Sequence, residues 1–259
     1  MLIDTHTHIY LKEFNDDRNT VIEKCMSNGI NKLLLPNIDT STIESLHSTC
    51  EKYSCCKPMM GLHPCSVKED FEKELNSIKT YLYNGNYIAI GEIGIDLYWD
   101  KTTLTIQKKA FEEQINWAKE LHLPIVIHAR DSYEEIFEVL DKIHDSSLFG
   151  VFHCFTGSLK QAKKIIDYGN FKMGIGGVVT FKNGGLDKTL QNIELKHLML
   201  ETDSPYLSPS PYRGKRNEST HLKLIAEKLA IIYNCTFEEI AEITTRTVSY
   251  THLTLPTSP

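Results

Sequence analysis

The 259-residue sequence predicts an α/β fold, and within that class a single (β/α)8 TIM barrel, on three observations. Short β-branched or aliphatic runs alternate with longer stretches of helical period along the whole chain, and strand-helix-strand repetition means parallel pairing through crossovers. The short runs number about eight, which is what a closed barrel requires. The length suits one barrel, so one domain is expected over residues 1–247. An open doubly wound sheet is the alternative, because periodicity by itself does not show closure.

The candidate strands are 2–5, 32–36, 58–62, 88–92, 125–128, 151–155, 171–175 and 198–201. A helix is expected over 19–27, stopped by Gly29, and another over 41–53, opened by the capping box Ser41-x-x-Glu44. Ser132-x-x-Glu135 and Thr236-x-x-Glu239 repeat that start signal, and Gly169 after Ile165-Ile166-Asp167-Tyr168 is a stop. The Pro- and Ser-rich piece 204–216 reads as a functional loop. A last helix is expected over 236–245, followed at 248–259 by a Thr-, Ser- and Pro-rich tail without helical period, expected to be frayed or disordered.

Composition narrows the function classes. With 41% hydrophobic and 24% charged residues and a mean hydropathy of -0.28, neither a disordered chain nor a membrane protein is indicated. No apolar stretch approaches the ~20 residues of a membrane span, and Met1-Leu2-Ile3-Asp4 lacks the features of a signal peptide, so a cytoplasmic location is expected. Seven scattered cysteines without a C-x-x-C pair fit reduced thiols. The net charge of -6 offers no overall attraction to a polyanion, which would have to be held by bound metal or a local basic stretch.

The chemistry is carried by residues at strand ends. His6-x-His8 directly follows the first strand, and residues two apart in an extended chain point the same way, so both imidazoles can face one ion. Glu92 closes Ile88-Ala89-Ile90-Gly91, His128 closes Ile125-Val126-Ile127, His153 follows Val151-Phe152, and Asp203 follows the run 198–202. Polar groups closing apolar runs lose hydration unless partnered. In a parallel barrel all C-terminal strand ends meet at one face, where a shared metal supplies the partner. Four His and two carboxylates serve one or two ions, with Glu92 the natural bridge, and the N/O donors fit Zn, Mn, Fe, Co or Mg. Bound ions would present a water as hydroxide to the scissile bond, with Asp203 as the catalytic residue handling its proton.

Other residues are candidates for the substrate. His63, in Gly61-Leu62-His63-Pro64, is placed to donate to a leaving oxygen, or else holds a turn. Arg130 can pair with a phosphate oxygen or with Glu134 or Glu135. Arg213, Lys215 and Arg216 put three cations just after Asp203, suited to a nucleic-acid backbone or simply solvated. Cys154 should point to the opposite face of its strand from His153. Tyr98-Trp99 is the aromatic pair suited to base stacking.

Together these stretches resemble the TatD-type deoxyribonucleases of the metal-dependent hydrolase superfamily. The likeness lies in Ile3-Asp4-Thr5-His6-Thr7-His8, Gly61-Leu62-His63-Pro64, Ile90-Gly91-Glu92-Ile93-Gly94-Ile95-Asp96, the helix 107–114, the run 124–130, Phe152-His153-Cys154-Phe155-Thr156-Gly157, the run 200–207 and the run 213–218. It spans residues 2 to about 245; after Thr244-Thr245 the chain departs from the family's pattern with Arg246-Thr247-Val248-Ser249-Tyr250, which implies that the final residues are non-native. The resemblance implies two divalent ions (Mg, Mn or Zn) held by His6, His8, Glu92, His128, His153 and Asp203. It places His63 and Arg130 on the substrate side. It also implies 3′-to-5′ exonuclease action on DNA, on single strands or 3′ ends, with a link to repair and no obligate protein partner. The rival readings are a small-molecule amide, lactone or ester hydrolase on the same metal site, and a metal-binding scaffold without turnover.

Overall fold

The computed structural model describes residues 1–182 and 184–251. Eight strands alternate with helices: β1 Leu2–Asp4, β2 Ile30–Pro36, β3 Cys56–Met59, β4 Ile90–Asp96, β5 Ile125–Arg130, β6 Gly150–Phe152, β7 Phe171–Ile175 and β8 Leu198–Leu200. The helices are α1 Arg18–Ser27, α2 Ile43–Lys52, α3 Phe71–Asn84, α4 Leu104–Leu121, α5 Tyr133–Ile143, α6 Leu159–Asp167, α7 Leu186–Leu190, α8 Leu222–Tyr233 and α9 Phe237–Thr251. Every strand pair is parallel, in the orders β1-β2-β3 and β4-β5-β6-β7-β8.

Closure excludes the open-sheet alternative. One seam is bridged at Met60 and Ile90, with Gly91 N–H donating to the Met60 carbonyl at 3.1 Å. The other is bridged at Thr7 and Ser204, where Thr5 N–H reaches the Leu200 carbonyl at 3.1 Å and Asp203 N–H the His6 carbonyl at 2.9 Å. The seams are thus stitched partly by residues of the functional face.

The alternation of side chains sorts the core into two. Leu34, Val126, Val151 and Met199 fill the barrel interior with Ile3, Met59, Ile88 and Ala89, while their neighbours Leu33, Leu35, Ile125, Ile127, Leu198 and Leu200 pack outward under the helices. The strand period of two carries the inward direction on to the residues at the strand ends. His128 lies two residues beyond Val126, His153 two beyond Val151, and Glu201 and Asp203 two and four beyond Met199.

Three local expectations are corrected. The first turn before α2 is capped by Asp39, whose carboxylate accepts the Ser41 N–H at 3.0 Å in a reciprocal box with Thr42. Asp39 precedes the turn and Ser41 lies inside it. The Ser132 hydroxyl spends its proton on the Ile95 carbonyl at 2.5 Å rather than capping α5. The tail expected from residue 248 is in part helix: α9 runs to Thr251, and Val248 is buried inside the barrel with Ile3 and Met199. A barrel needs its N-terminal mouth covered, and α9 supplies an apolar side chain there. Residues 252–259 lie outside the described ones. The Thr236–Glu239 box forms as expected, with Thr236 N–H and Glu239 N–H each bonded to the other's side chain.

Candidate metal centre

Glu92 stands at the centre of the C-terminal face, and its two oxygens look toward different groups. Oε2 lies 3.2 Å from His6 Nε2 and 3.7 Å from His8 Nε2. Asp203 Oδ1 completes this side at 3.7 Å from His6 Nε2 and 3.5 Å from His8 Nε2. Oε1 lies 2.8 Å from His128 Nδ1, 2.9 Å from His153 Nε2 and 3.5 Å from His63 Nε2. The six residues expected to hold metal therefore converge, and His63 joins them.

Several supporting bonds decide which nitrogen carries the proton. The Tyr10 hydroxyl donates to the Pro36 carbonyl at 2.6 Å, so at 3.0 Å it accepts from His8 Nδ1. That leaves the His8 Nε2 lone pair facing Glu92 and Asp203. His63 has the opposite polarity. Its Nδ1 accepts the Cys65 N–H at 3.0 Å, so Nε2 is the protonated atom and His63 offers a donor to the cleft. His128 sits between two carboxylates, Glu92 at Nδ1 and Asp96 at Nε2, each at 2.8 Å. Burial pulls its pKa down, but these two bonds outweigh burial and hold it above the ordinary imidazole value. Burial likewise works against the charge of His153, and the charges of Glu92 and Glu201 raise it well above that value. Glu92 and Asp203 stay ionised: burial would raise both, and the surrounding imidazoles bring both below the usual carboxylate range.

The donor set fits a divalent ion. His6 Nε2 and His8 Nε2 face each other at 3.3 Å, and ligands about 2.0–2.2 Å from one tetrahedral centre stand about 3.3–3.6 Å apart. Donor atoms of His6, His8 and Asp203 form one compact group, those of His6, His153 and Glu201 another, and those of His63, Glu92 and His128 a third. Among the described residues, buried His6 Nδ1 and Glu201 Oε2 have no hydrogen-bond partner.

Asp96, Glu201 and Tyr10 are functional neighbours to which the sequence reading gives no role, although Asp96 and Glu201 lie within stretches that carry the family resemblance. Glu201 Oε1 accepts the Cys154 N–H at 2.6 Å and faces His153 Nδ1 at 3.3 Å. Its room comes from Gly174, where a Cβ would lie 2.0 Å from Oε2. The available signal for Glu201 is its spacing of two from Asp203 on an inward-facing register; for Tyr10, its spacing of two from His8. Asp4 braces the seam, accepting the Thr202 N–H at 2.9 Å and the Thr202 hydroxyl at 2.6 Å. Asp203 itself adopts a left-handed backbone, φ 56°, a conformation aspartate tolerates better than most residues.

The cleft above these residues holds about 730 Å3 and is lined by His8, His63, Trp99, Arg130, Cys154 and Tyr206 among others. Cys154 is thus a correction. The strand ends at Phe152 and Cys154 turns into a left-handed conformation, φ 47°, so the alternation that would have pointed it away no longer applies. Its thiol is held well above its usual pKa by burial and by the charge of Glu201. Arg130 lies on the cleft wall, stacked 3.7 Å from the Tyr98 ring centre. Among the described residues it has no carboxylate at ion-pair distance, so the helix-cap pairing with Glu134 or Glu135 does not form. Arg216 is taken up by Asp17 at 2.6 Å and Glu218 at 2.9 Å, which removes it from the cations expected to track a backbone. Arg213 is exposed and stacks 3.7 Å from the Phe181 ring centre, outside the residues lining this cleft. No helix among the described residues is long and apolar enough to cross a membrane.

Comparison with known proteins agrees with this geometry. The family model described as TatD related DNase matches residues 3–250. The chain is 39% identical over 246 residues to the uncharacterized metal-dependent hydrolase YabD of Bacillus subtilis, covering 95% of this chain and 96% of that one. It is 29% identical over 235 residues to the 3'-5' ssDNA/RNA exonuclease TatD of Citrobacter koseri, covering 88% and 90%. Among solved structures, YjjV, a TatD homolog from Escherichia coli, superposes with a TM-score of 0.92 at 25% identity, covering 98% of both chains.

Proposed function

The chain belongs to the TatD-related DNase family of metal-dependent hydrolases, and from that premise we propose that it cleaves DNA phosphodiester bonds, removing nucleotides from 3′ ends of single strands with two divalent ions (Mg, Mn or Zn) at the Glu92 cluster. The observation that carries this reading is the division of labour at Glu92. One oxygen faces His6 and His8, the other faces His128 and His153, as a carboxylate bridging two ions would. Such ions, when bound, supply Lewis-acid chemistry: they acidify water and neutralise charge developing on phosphoryl oxygens.

The protein's own groups divide the remaining work. Asp203 is 14% exposed against 3% for Glu92, so of the two central carboxylates it is the one that meets the cleft. Held ionised, it accepts the proton of the attacking water. His63 presents its protonated Nε2 from the cleft wall and donates to the leaving oxygen. Arg130, stacked and unpaired by any described carboxylate, grips a non-bridging phosphate oxygen through its N–H edge. Arg213 stands farther out, where it meets the backbone of a longer substrate.

The test is digestion of end-labelled single- and double-stranded DNA by chelated and then metal-reconstituted protein, run beside amide and lactone panels. Expected are loss of DNA cleavage on chelation, recovery with a divalent ion, and stepwise shortening from 3′ ends of single strands. Metal-dependent turnover of an amide or lactone with DNA left intact would overturn the nuclease reading.

A further inference from the structure

We propose that Tyr98, Trp99 and Arg130 form a nucleotide subsite beside the metal cluster, in which an unpaired base stacks on the Trp99 indole while the Arg130 guanidinium holds the adjoining phosphate. The inference rests on the phosphodiesterase reading and deepens it, since it names what the enzyme grips next to the bond it cuts.

Trp99 is out of place by ordinary folding physics. It is 72% exposed, whereas the other tryptophan, Trp117, is 2% exposed in the core. An exposed indole forfeits the burial that a large apolar side chain ordinarily gains on folding, and this one lies on the lining of the cleft. The ring is also set in place from below. Asp96 Oδ1 accepts the Tyr98 N–H at 3.0 Å and the Trp99 N–H at 3.4 Å, while Oδ2 bonds His128 at 2.8 Å. One carboxylate thus fixes both a residue of the cluster and the loop that carries the indole. Gln107 on α4 clamps the backbone of Asp96 from both sides, accepting its N–H at 2.8 Å and donating to its carbonyl at 3.0 Å.

Arg130 completes the arrangement from the neighbouring strand. Its backbone carbonyl accepts the Leu97 N–H at 2.9 Å, and its guanidinium lies 3.7 Å from the Tyr98 ring centre and 5.5 Å from that of Trp99. Stacking fixes the plane of the guanidinium and leaves its N–H edge available to an anion. The Tyr98 and Trp99 rings meet edge to face at 4.9 Å and 90°, so Tyr98 is spent on Arg130 and Trp99 remains as the open platform. A flat apolar face next to a fixed cation matches a base and its phosphate. A base reaches that face only after leaving its own helical stack, so the subsite selects single-stranded ends and is tolerant of sequence.

Trp117 is buried, so the quenchable indole fluorescence of this protein belongs to Trp99, and metal-free protein serves as the first assay. Titration with dAMP is expected to quench the emission and saturate. The base-free 2-deoxyribose 5-phosphate leaves it unchanged, and W99F loses the response. In the metal-loaded enzyme W99A raises KM for a single-stranded oligonucleotide on the order of tenfold, W99F restores most of the loss, and the wild-type to W99A ratio falls toward one when the terminal nucleotide is abasic. If oligonucleotides are hydrolysed while dAMP leaves the emission unchanged, or if W99A raises KM equally for abasic ends, the subsite is wrong and the nuclease reading stands. If dAMP quenches and no nucleic acid is hydrolysed, the nuclease reading falls and the subsite stands.

Discussion

At the residue scale, what governs this site is which imidazole nitrogen has a free lone pair. Tyr10 holds the proton of His8 on Nδ1 and so leaves the Nε2 lone pair open for the ligand role proposed above, whereas the Cys65 N–H makes His63 a donor. Asp203→Asn keeps the shape and removes the base, so kcat should fall by about 10²–10⁴ with the fold intact by circular dichroism; full metal-dependent activity in that variant would refute the assignment. His128 and His153 are both held above the ordinary imidazole pKa by neighbouring carboxylates, so in the metal-free protein they keep their protons to higher pH than an ordinary imidazole does. An ion must displace those protons, and metal affinity should rise with pH above the ordinary imidazole value. Calorimetry in buffers of different ionisation enthalpy measures the protons released, and pH-independent binding would contradict the ligand roles. For Tyr10 and Glu201 the sequence offers only a spacing of two from His8 and from Asp203, which places them on the same face but does not separate a side chain that orients a ligand from one that does not.

At the scale of elements, strand register carries the donors inward and close packing behind them makes room. His128, His153 and Asp203 continue the inward parity of Val126, Val151 and Met199, so three of the six candidate ligands are found by counting in twos. Parity fails at Cys154, one residue past His153, because the chain there has left the strand and rotated. Gly174 on β7 is the packing counterpart. An added methyl would strike Glu201 Oε2 at 2.0 Å, and that carboxylate is enclosed, so Gly174→Ala should cost about 1–3 kcal/mol and weaken metal binding by displacing the partner of His153. Thermal melting gives the first quantity and metal titration the second; an unchanged melting temperature together with unchanged affinity would show that the site yields more freely than its packing implies.

For the molecule as a whole, the barrel is closed at one mouth by the metal cluster and at the other by α9. Val248 sits among Ile3, Leu34 and Met199, so Val248→Ala should lower stability by about 1–3 kcal/mol, seen as a drop of about 2–4 °C in Tm per kcal/mol. Turnover at temperatures well below melting should be unchanged, since the substitution is at the far mouth. An undiminished Tm would mean that α9 is dispensable as a cover. The succession of eight strands and the polar residues in or just past them could be read from the amino acids alone, because hydrophobic period and a polar residue after an apolar run are local properties of the chain; the strand ends could not, since β4 runs Ile90–Asp96 and β5 Ile125–Arg130, which leaves Glu92 and His128 inside their strands. Closure of the sheet, the meeting of His6 with Asp203 across the last seam, the capture of Arg216 by Asp17 and the burial of Val248 were decided only by the tertiary structure. Each depends on residues far apart in the chain arriving at one place, and a sequence pattern holds no record of distance between segments until the barrel closes and sets it.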